Sequence, residues 1–254
     1  NSLSNNGRCT VYRYDSGTDT WTEDSATAIA ALNGDINNRR FGYSAQISDA
    51  GNVIAVGVQN YFLRVFAYDG TTWNEISGLA DFPLITASGA GWHVGLSRDG
   101  KTVSYAADKQ TTRVYHYDCT AETWSQVGSD VGDANAGGSD QGKHSAVVQK
   151  ADGSFVLAVG DYSDDDLTYE MPDVGGVRVY TSPDASGPWT LARVFTGAVT
   201  ESDMGKAVDL TADGSTVAFT VKGSAAGFTG YEDNTVGHAQ VCNVASGVCH
   251  ILDS

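Results

Sequence analysis

Apolar residues in this chain come in short runs with a period of two, and the runs stop at glycine-containing turns. Residues 52–57 (NVIAVG) show the pattern: Val53, Ala55 and Gly57 point one way, Ile54 and Val56 the other. Both faces are apolar, which predicts a strand buried on two sides. A second kind of segment, rich in Val, Tyr, Phe and Trp, suits a pleated, half-buried surface. It reads TVYRYDSGTDTW at 10–21, RVFAYDGTTW at 64–73, RVYHYDCTAETW at 113–124 and RVYTSPDASGPW at 178–189. Turn signals fall at Ala50-Gly51, Asp99-Gly100, Asp152-Gly153 and Asp213-Gly214. Asp-Gly predicts a hairpin because both positions tolerate positive φ. No helical period of useful length is present; residues 25–32 are the best candidate, for a single exposed turn.

The two kinds of segment alternate. Each aromatic hairpin is preceded by one led by glycine: 41–57, 91–107, 142–160 and 205–220. The lead glycines Gly42, Gly91, Gly142 and Gly205 are 49, 51 and 63 residues apart. Self-similarity at that period marks a repeat architecture. Two hairpins per repeat make four antiparallel strands, the unit of a β-propeller blade, which hides its apolar faces only against its neighbours. The predicted fold is therefore an all-β propeller spanning 1–254, with blades at 41–77, 91–127, 142–194 and 205–252. Residues 8–24 are left over as the outer half of a preceding blade. Four and a half blades predict a fragment of a larger ring, seven blades being one such size; the alternative is a self-contained, irregular ring of five.

Charge narrows the list of partners. Lys and Arg total 15 against 31 Asp and Glu, a formal charge of -16 with no basic stripe, so a nucleic-acid polyanion is repelled. No apolar run approaches the ~18 residues of a membrane helix, and membrane insertion is not expected. No signal peptide is visible, and the chain reads as a mature or excised product. Of four cysteines, Cys242 and Cys249 flank NVASGV. A turn at Ala245 and Ser246 sets Val244 against Gly247, Asn243 against Val248, and Cys242 opposite Cys249. That pairing is within disulfide reach and implies an oxidising, extracytoplasmic setting; two reduced cysteines sharing a face are the alternative. Cys9 and Cys119 lie in different repeats with no mutual register, free or bonded elsewhere.

The composite pattern, FGxSxxxSxDGxxxAVG followed by GxVxVYxYDxxxxxW, resembles the FG-GAP-like propeller repeats of integrin alpha-chain heads. It is similar also to large extracellular propeller proteins of algae and other protists, some of which decorate flagella or cell walls. The likeness covers nearly the whole chain. It is degraded where Gly91-Trp92 replaces Phe-Gly and where two residues are inserted before Asp152-Gly153. Integrin-type repeats often carry a DxDxDG calcium loop; no loop here has that spacing, so the calcium role does not carry over.

Candidate chemistry is sparse. The loop at 161–176, DYSDDDLTYEMPDVGG, gathers Asp161, Asp164, Asp166 and Glu170, a set of hard oxygen ligands suited to calcium; a solvated acidic loop is the plainer reading. The loop at 128–141 is small and polar and matches no metal motif. Trp21, Trp73, Trp124 and Trp189 recur at one position, which points to packing between blades rather than to a sugar-stacking shelf. Trp92 and His93 occur in one repeat only and are candidates for a ligand or partner contact. There is no HExxH, GxSxG or GxxxxGK[ST] sequence, no zinc-like spacing among the five histidines, and no N-x-[ST] sequon; O-glycosylation of Ser- and Thr-rich loops stays open. The expected function is a non-catalytic extracellular scaffold of a filament, sheath or cell-surface appendage, partnered by other protein subunits or copies of itself. Rival readings are an adhesion or lectin-like module that binds a glycan or protein, and, third, a propeller glycosidase or lyase.

Overall fold

The computed structural model describes residues 7–24, 40–59, 62–77, 91–106, 111–132, 144–161, 174–197, 202–222 and 237–252. Among these residues every regular element is a strand. A two-stranded half-blade, β1 (Tyr12–Asp15) and β2 (Thr20–Glu23), comes first. Blade one is β3 (Phe41–Ile47), β4 (Val53–Val58), β5 (Phe62–Tyr68) and β6 (Trp73–Glu75). Blade two is β7 (Val94–Leu96), β8 (Thr102–Ala106), β9 (Thr111–Asp118) and β10 (Thr123–Gln126), with a short β11 (Val131–Gly132) against β9. Blade three is β12 (His144–Gln149), β13 (Phe155–Asp161), β14 (Gly176–Ser182) and β15 (Thr190–Thr196). Blade four is β16 (Val208–Leu210), β17 (Thr216–Val221), β18 (His238–Asn243) and β19 (Cys249–Leu252). Each blade is an antiparallel meander in chain order, so the predicted all-β propeller of four-stranded blades is the observed one. Residues 25–32, the predicted helical turn, lie outside the described residues.

The two-sided strands work as their alternation requires. On β4, Ile54 and Val56 pack back on the half-blade, with Val11, Phe66 and Trp73. Ala55, with Leu63 and Val65, packs forward on Val103, Tyr105, Tyr115 and Trp124 of blade two. On β13, Leu157 and Val159 face blade two while Val156 and Ala158 face blade four. Four buried clusters therefore lie between successive blades: half-blade to one, one to two, two to three, three to four. Among the described residues none of them joins blade four to the half-blade. Each fully buried Val, Leu or Phe contributes about 1.5–3 kcal/mol, and all of it depends on the neighbouring blade being present.

Small residues set how closely the blades approach. A Cβ at Gly57 would run into the carbonyl oxygen of Gly91, and one at Gly160 into that of Gly205. In blades one and three the end of the second strand is thus bare where the next blade's lead glycine passes; blade two has the small Ala106 at that position.

The inner hairpin turns differ from expectation in one respect. Gly51, Gly100, Gly153 and Gly214 have φ between 65° and 84°, but the residues before them, Ala50, Asp99, Asp152 and Asp213, do not adopt positive φ. Each glycine N–H closes a four-residue turn onto Ser48, Ser97, Lys150 or Thr211. Aspartate is there for its acceptor: Asp213 Oδ1 takes the Ser215 N–H at 3.0 Å and the Thr211 hydroxyl at 2.6 Å. Asp99 and Asp152 hold their turns in the same way. These are turns followed by a left-handed glycine, which leave aspartate in an ordinary conformation and free to cap the turn.

The tryptophans obey one register. Trp124 Nε1 donates to the Ile76 carbonyl at 2.9 Å and Trp189 Nε1 to the Val127 carbonyl at 2.8 Å. Trp73 Nε1 donates to Asp24 Oδ2 at 3.2 Å. Each acceptor stands three residues after the preceding repeat's tryptophan: Asp24 after Trp21, Ile76 after Trp73, Val127 after Trp124. The indole is a hook onto the previous blade, as the repeat position predicts. Blade four has no such tryptophan. Blade three instead reaches forward, Arg193 donating to the Val244 carbonyl at 3.0 Å and to that of Ala245.

Candidate functional site

The four innermost strands β3, β7, β12 and β16 surround a central cavity of 330 Å³ lined in part by Gln46, His93, Arg98, Ser145 and Asp209. At one end the chain is tied across blades, the Asp49 N–H donating to the Arg98 carbonyl at 2.9 Å. Their side chains form a loose ion pair at 3.4 Å. The other end is the start of the inner strands, where the lead-glycine turns converge. The described strand ends not joined by a hairpin turn lie at this end, because the inner and outer hairpin turns are both at the opposite one.

Trp92 and His93 both lie at the start of the innermost strand of blade two, at this end. Trp92 leans on Tyr43 of blade one, ring centroids 5.8 Å apart, and His93 lies 5.0 Å from His144 of blade three. Tyr43 and His144 escaped the sequence reading. Their signal was there: Tyr43 and Trp92 each follow a lead glycine by one residue, His93 and His144 by two. Equal offsets in adjacent blades place side chains at equal heights on the channel wall.

The His93 ring is neutral. His93 Nδ1 accepts the Ser145 N–H at 3.3 Å, so the ring proton sits on Nε2. Burial, with His144 as a like-charged neighbour, brings its pKa down to about 4. Ser145 is no activated nucleophile, since its hydroxyl pairs with that of Ser104 at 2.9 Å and its backbone, not its Oγ, meets the histidine.

The calcium candidates are only partly in view. Asp161 ends β13, buried at 2% exposure, and its Oδ2 accepts from Arg178 at 3.3 Å. Asp164, Asp166 and Glu170 lie outside the described residues. Among the described residues no group of three or more His, Cys, Asp and Glu side chains is placed to hold a metal ion.

The cysteines resolve into one pair and two free thiols. Cys242 stands opposite Cys249 on β18 and β19, the two joined by a disulfide with Cα atoms 4.0 Å apart. The turn is one residue wider on each side than the predicted Ala245-Ser246 pair. Gly247, at φ 75°, donates its N–H to the Asn243 carbonyl at 2.8 Å, so Val244 and Gly247 belong to the loop. The Asn243 N–H still meets the Val248 carbonyl at 2.9 Å, which keeps the cysteines in register. Cys119 is free and exposed. Cys9 is free and partly covered, and burial raises its thiol pKa. It lines a groove with Val11, Ala45, Ile47 and Ile54, between the half-blade and β3.

The half-blade carries the largest exposed aromatic surface among the described residues. Tyr12, Tyr14 and Trp21 are 54%, 50% and 68% exposed. Tyr14 pairs with Trp21 across the strands, and Tyr12 with Glu23, so these side chains share the face turned away from blade one. Trp21 is the exception to the packing role foreseen for the four repeated tryptophans. It is built like the others, but among the described residues no blade packs on it.

No family model matches the chain, and no curated protein matches it. Among solved structures it is similar to a Bacteroides uniformis protein assigned as a 6-phosphogluconolactonase: TM-score 0.50, 13% identity, 95% of this chain and 63% of that one covered. Looser likenesses are to Sqt1 of Saccharomyces cerevisiae, TM-score 0.48 at 10% identity over 82% of this chain and 47% of that one. Oligogalacturonate lyase of Vibrio parahaemolyticus follows, TM-score 0.46 at 12% identity over 96% of this chain and 59% of that one. The chain thus spans less than two thirds of the length of each. Identity this low speaks to fold alone, and on fold the repeats, the blades and the first of these likenesses agree: the chain is an all-β protein of β-propeller architecture, with four four-stranded blades and a two-stranded half-blade.

Proposed function

We propose that the chain is a non-catalytic scaffold module of an extracytoplasmic assembly, in which neighbouring polypeptide covers the surfaces its own blades leave open. The exposed Tyr12, Tyr14 and Trp21 face carries this reading. A contiguous exposed aromatic face on a repeat unit is expected to be covered by something that packs on it. The Cys242–Cys249 disulfide supports an oxidising location such as a cell surface or secreted structure. The resemblance of the repeat to those of extracellular propeller proteins supports the same location.

Tyr43 and Trp92 favour a second reading, a lectin-like contact at the channel mouth. Tilted aromatic rings beside a neutral histidine donor suit the apolar face and hydroxyls of a sugar. Binding on a glycan array that is lost in Trp92→Ala marks this role. The test of the scaffold reading is a turnover screen, with sugar lactones and acidic oligosaccharides included because of the names borne by two of the similar structures. No turnover is expected. Turnover abolished by His93→Gln would sink the reading and make the channel an active site.

A further inference from the structure

Two faces left open among the described residues are complementary. On the half-blade, Tyr12, Tyr14 and Trp21 hold the positions of Phe66, Tyr68 and Trp73 in blade one and of Tyr115, Tyr117 and Trp124 in blade two. Phe66, Trp73, Tyr115 and Trp124 are between 0% and 6% exposed, all four packed on the preceding blade, whereas the half-blade's three aromatics are at least half exposed. The seat such a set requires is also defined. It is a valine on the third strand facing forward, with a carbonyl opposite it on the fourth: Val65 with Ile76, Val114 with Val127.

Blade four offers that seat at its forward face. Register sets His250 of β19 opposite Val241 of β18, the places of Ile76 and Val65, and Leu252 opposite Ala239 beside them. His250 is exposed, Val241 is half-buried, and Leu252 is 57% exposed. One substitution then decides what fits. Thr220 of β17 stands where Gly57 and Gly160 stand in blades one and three, the points at which the next blade's lead glycine passes. A complete following blade would meet the threonine side chain. A half-blade made of the two outer strands brings no lead glycine to that point.

We propose that copies of this chain associate head to tail, the Tyr12, Tyr14 and Trp21 face of one copy seated on the forward face of blade four of the next. The indole N–H of Trp21 donates to the His250 carbonyl of the second copy, and Tyr12 and Tyr14 cover Val241. The inference rests on the scaffold reading and names its partner, a second copy of this chain. The contact joins two different surfaces, so it propagates into open chains or closes into rings and does not stop at a dimer. Exposed tryptophan and tyrosine supply the large, rigid anchors such interfaces use.

The experiment is sedimentation velocity on the 254-residue chain across a wide concentration range. Wild type is expected to give species larger than dimers. Trp21→Ser removes the hook and Val241→Asp charges the seat. Each variant alone is expected to weaken association at least tenfold, and a one-to-one mixture to give heterodimers and nothing larger, because each retains one intact surface. Leu252→Asp, at an exposed position, replaces Val241→Asp if far-ultraviolet circular dichroism shows the latter unfolded. A wild type that stays monomeric throughout, association that survives either substitution, or a mixture of folded variants that stays monomeric overturns the proposal. Those outcomes leave the scaffold reading in place, since that reading fails on turnover at the channel.

Discussion

His93 couples the channel wall to pH. Its folded pKa of about 4 lies below the ordinary 6.5, so the neutral ring is the form that folds. The unfolded chain binds the proton more readily, and the stabilising contribution is therefore complete above pH 6.5 and lost as pH falls from there to about 4. The loss is at most about 3 kcal/mol. Asp69 and Asp213, whose turn hydrogen bonds lower their pKa values to about 2, contribute in the opposite sense of charge but in a lower window, below pH 3.8. Denaturant midpoints measured from pH 7.5 to 4.5 are expected to fall in wild type and to fall less in His93→Gln, where His116, whose pKa burial also lowers, still contributes. The thiols give a second check at this scale. Exposed Cys119 is expected to react with iodoacetamide well before Cys9, whose burial disfavours the thiolate, as peptide mass mapping over time resolves.

At the scale of the strand and hairpin, function of position is set by what the neighbouring repeat supplies. Trp124→Phe removes the hydrogen bond to the Ile76 carbonyl and is expected to cost about 1–2 kcal/mol in chemical denaturation, part of it from leaving a covered carbonyl without its donor. Trp21→Phe, at an exposed site, is expected to change the stability of a dilute monomer by less than about 0.5 kcal/mol. Gly160→Ala drives a methyl group into the Gly205 carbonyl and is expected to cost about 1–3 kcal/mol, while Thr220→Ala, which loses only the hydrogen bond its hydroxyl accepts from the Ala207 N–H, is expected to cost about 0.5–1.5 kcal/mol.

Much of this was legible in the order of residues. The alternation in 52–57 announced two buried faces, the recurrence of YD and Trp fixed the hairpin as the unit, and the spacing of Cys242 and Cys249 fixed their pairing. What stayed hidden depended on neighbours rather than on the segment itself. Four tryptophans at one repeat position read alike, yet Trp21 is exposed because burial belongs to the preceding blade. Arg193 gave no signal, because its hook points to carbonyls, and carbonyls are the same in every sequence. His144 and Tyr43 became part of the mouth only once blades two and three, and one and two, were set side by side.

For the molecule as a whole, electrostatics oppose assembly and packing favours it. A formal charge of -16 on each copy makes approach costly in dilute buffer. The Debye length falls from about 30 Å at 0.01 M salt to about 8 Å at 0.15 M, which removes most of that repulsion and leaves a desolvated aromatic contact intact. Association measured by sedimentation is therefore expected to strengthen as salt rises over this range, the reverse of an interface held by opposite charges.

The division of turns between the two ends of the strands has a practical consequence. One rim is stitched by tight bends, each pinned by its own aspartate or asparagine, and lengthening any of them would unpick the ladder beneath. The opposite rim is where the chain already spends its spare length. A reporter peptide or affinity tag grafted between blades on that side should ride on the disc without disturbing it, and the same graft at Asp99 or Asp213 should not.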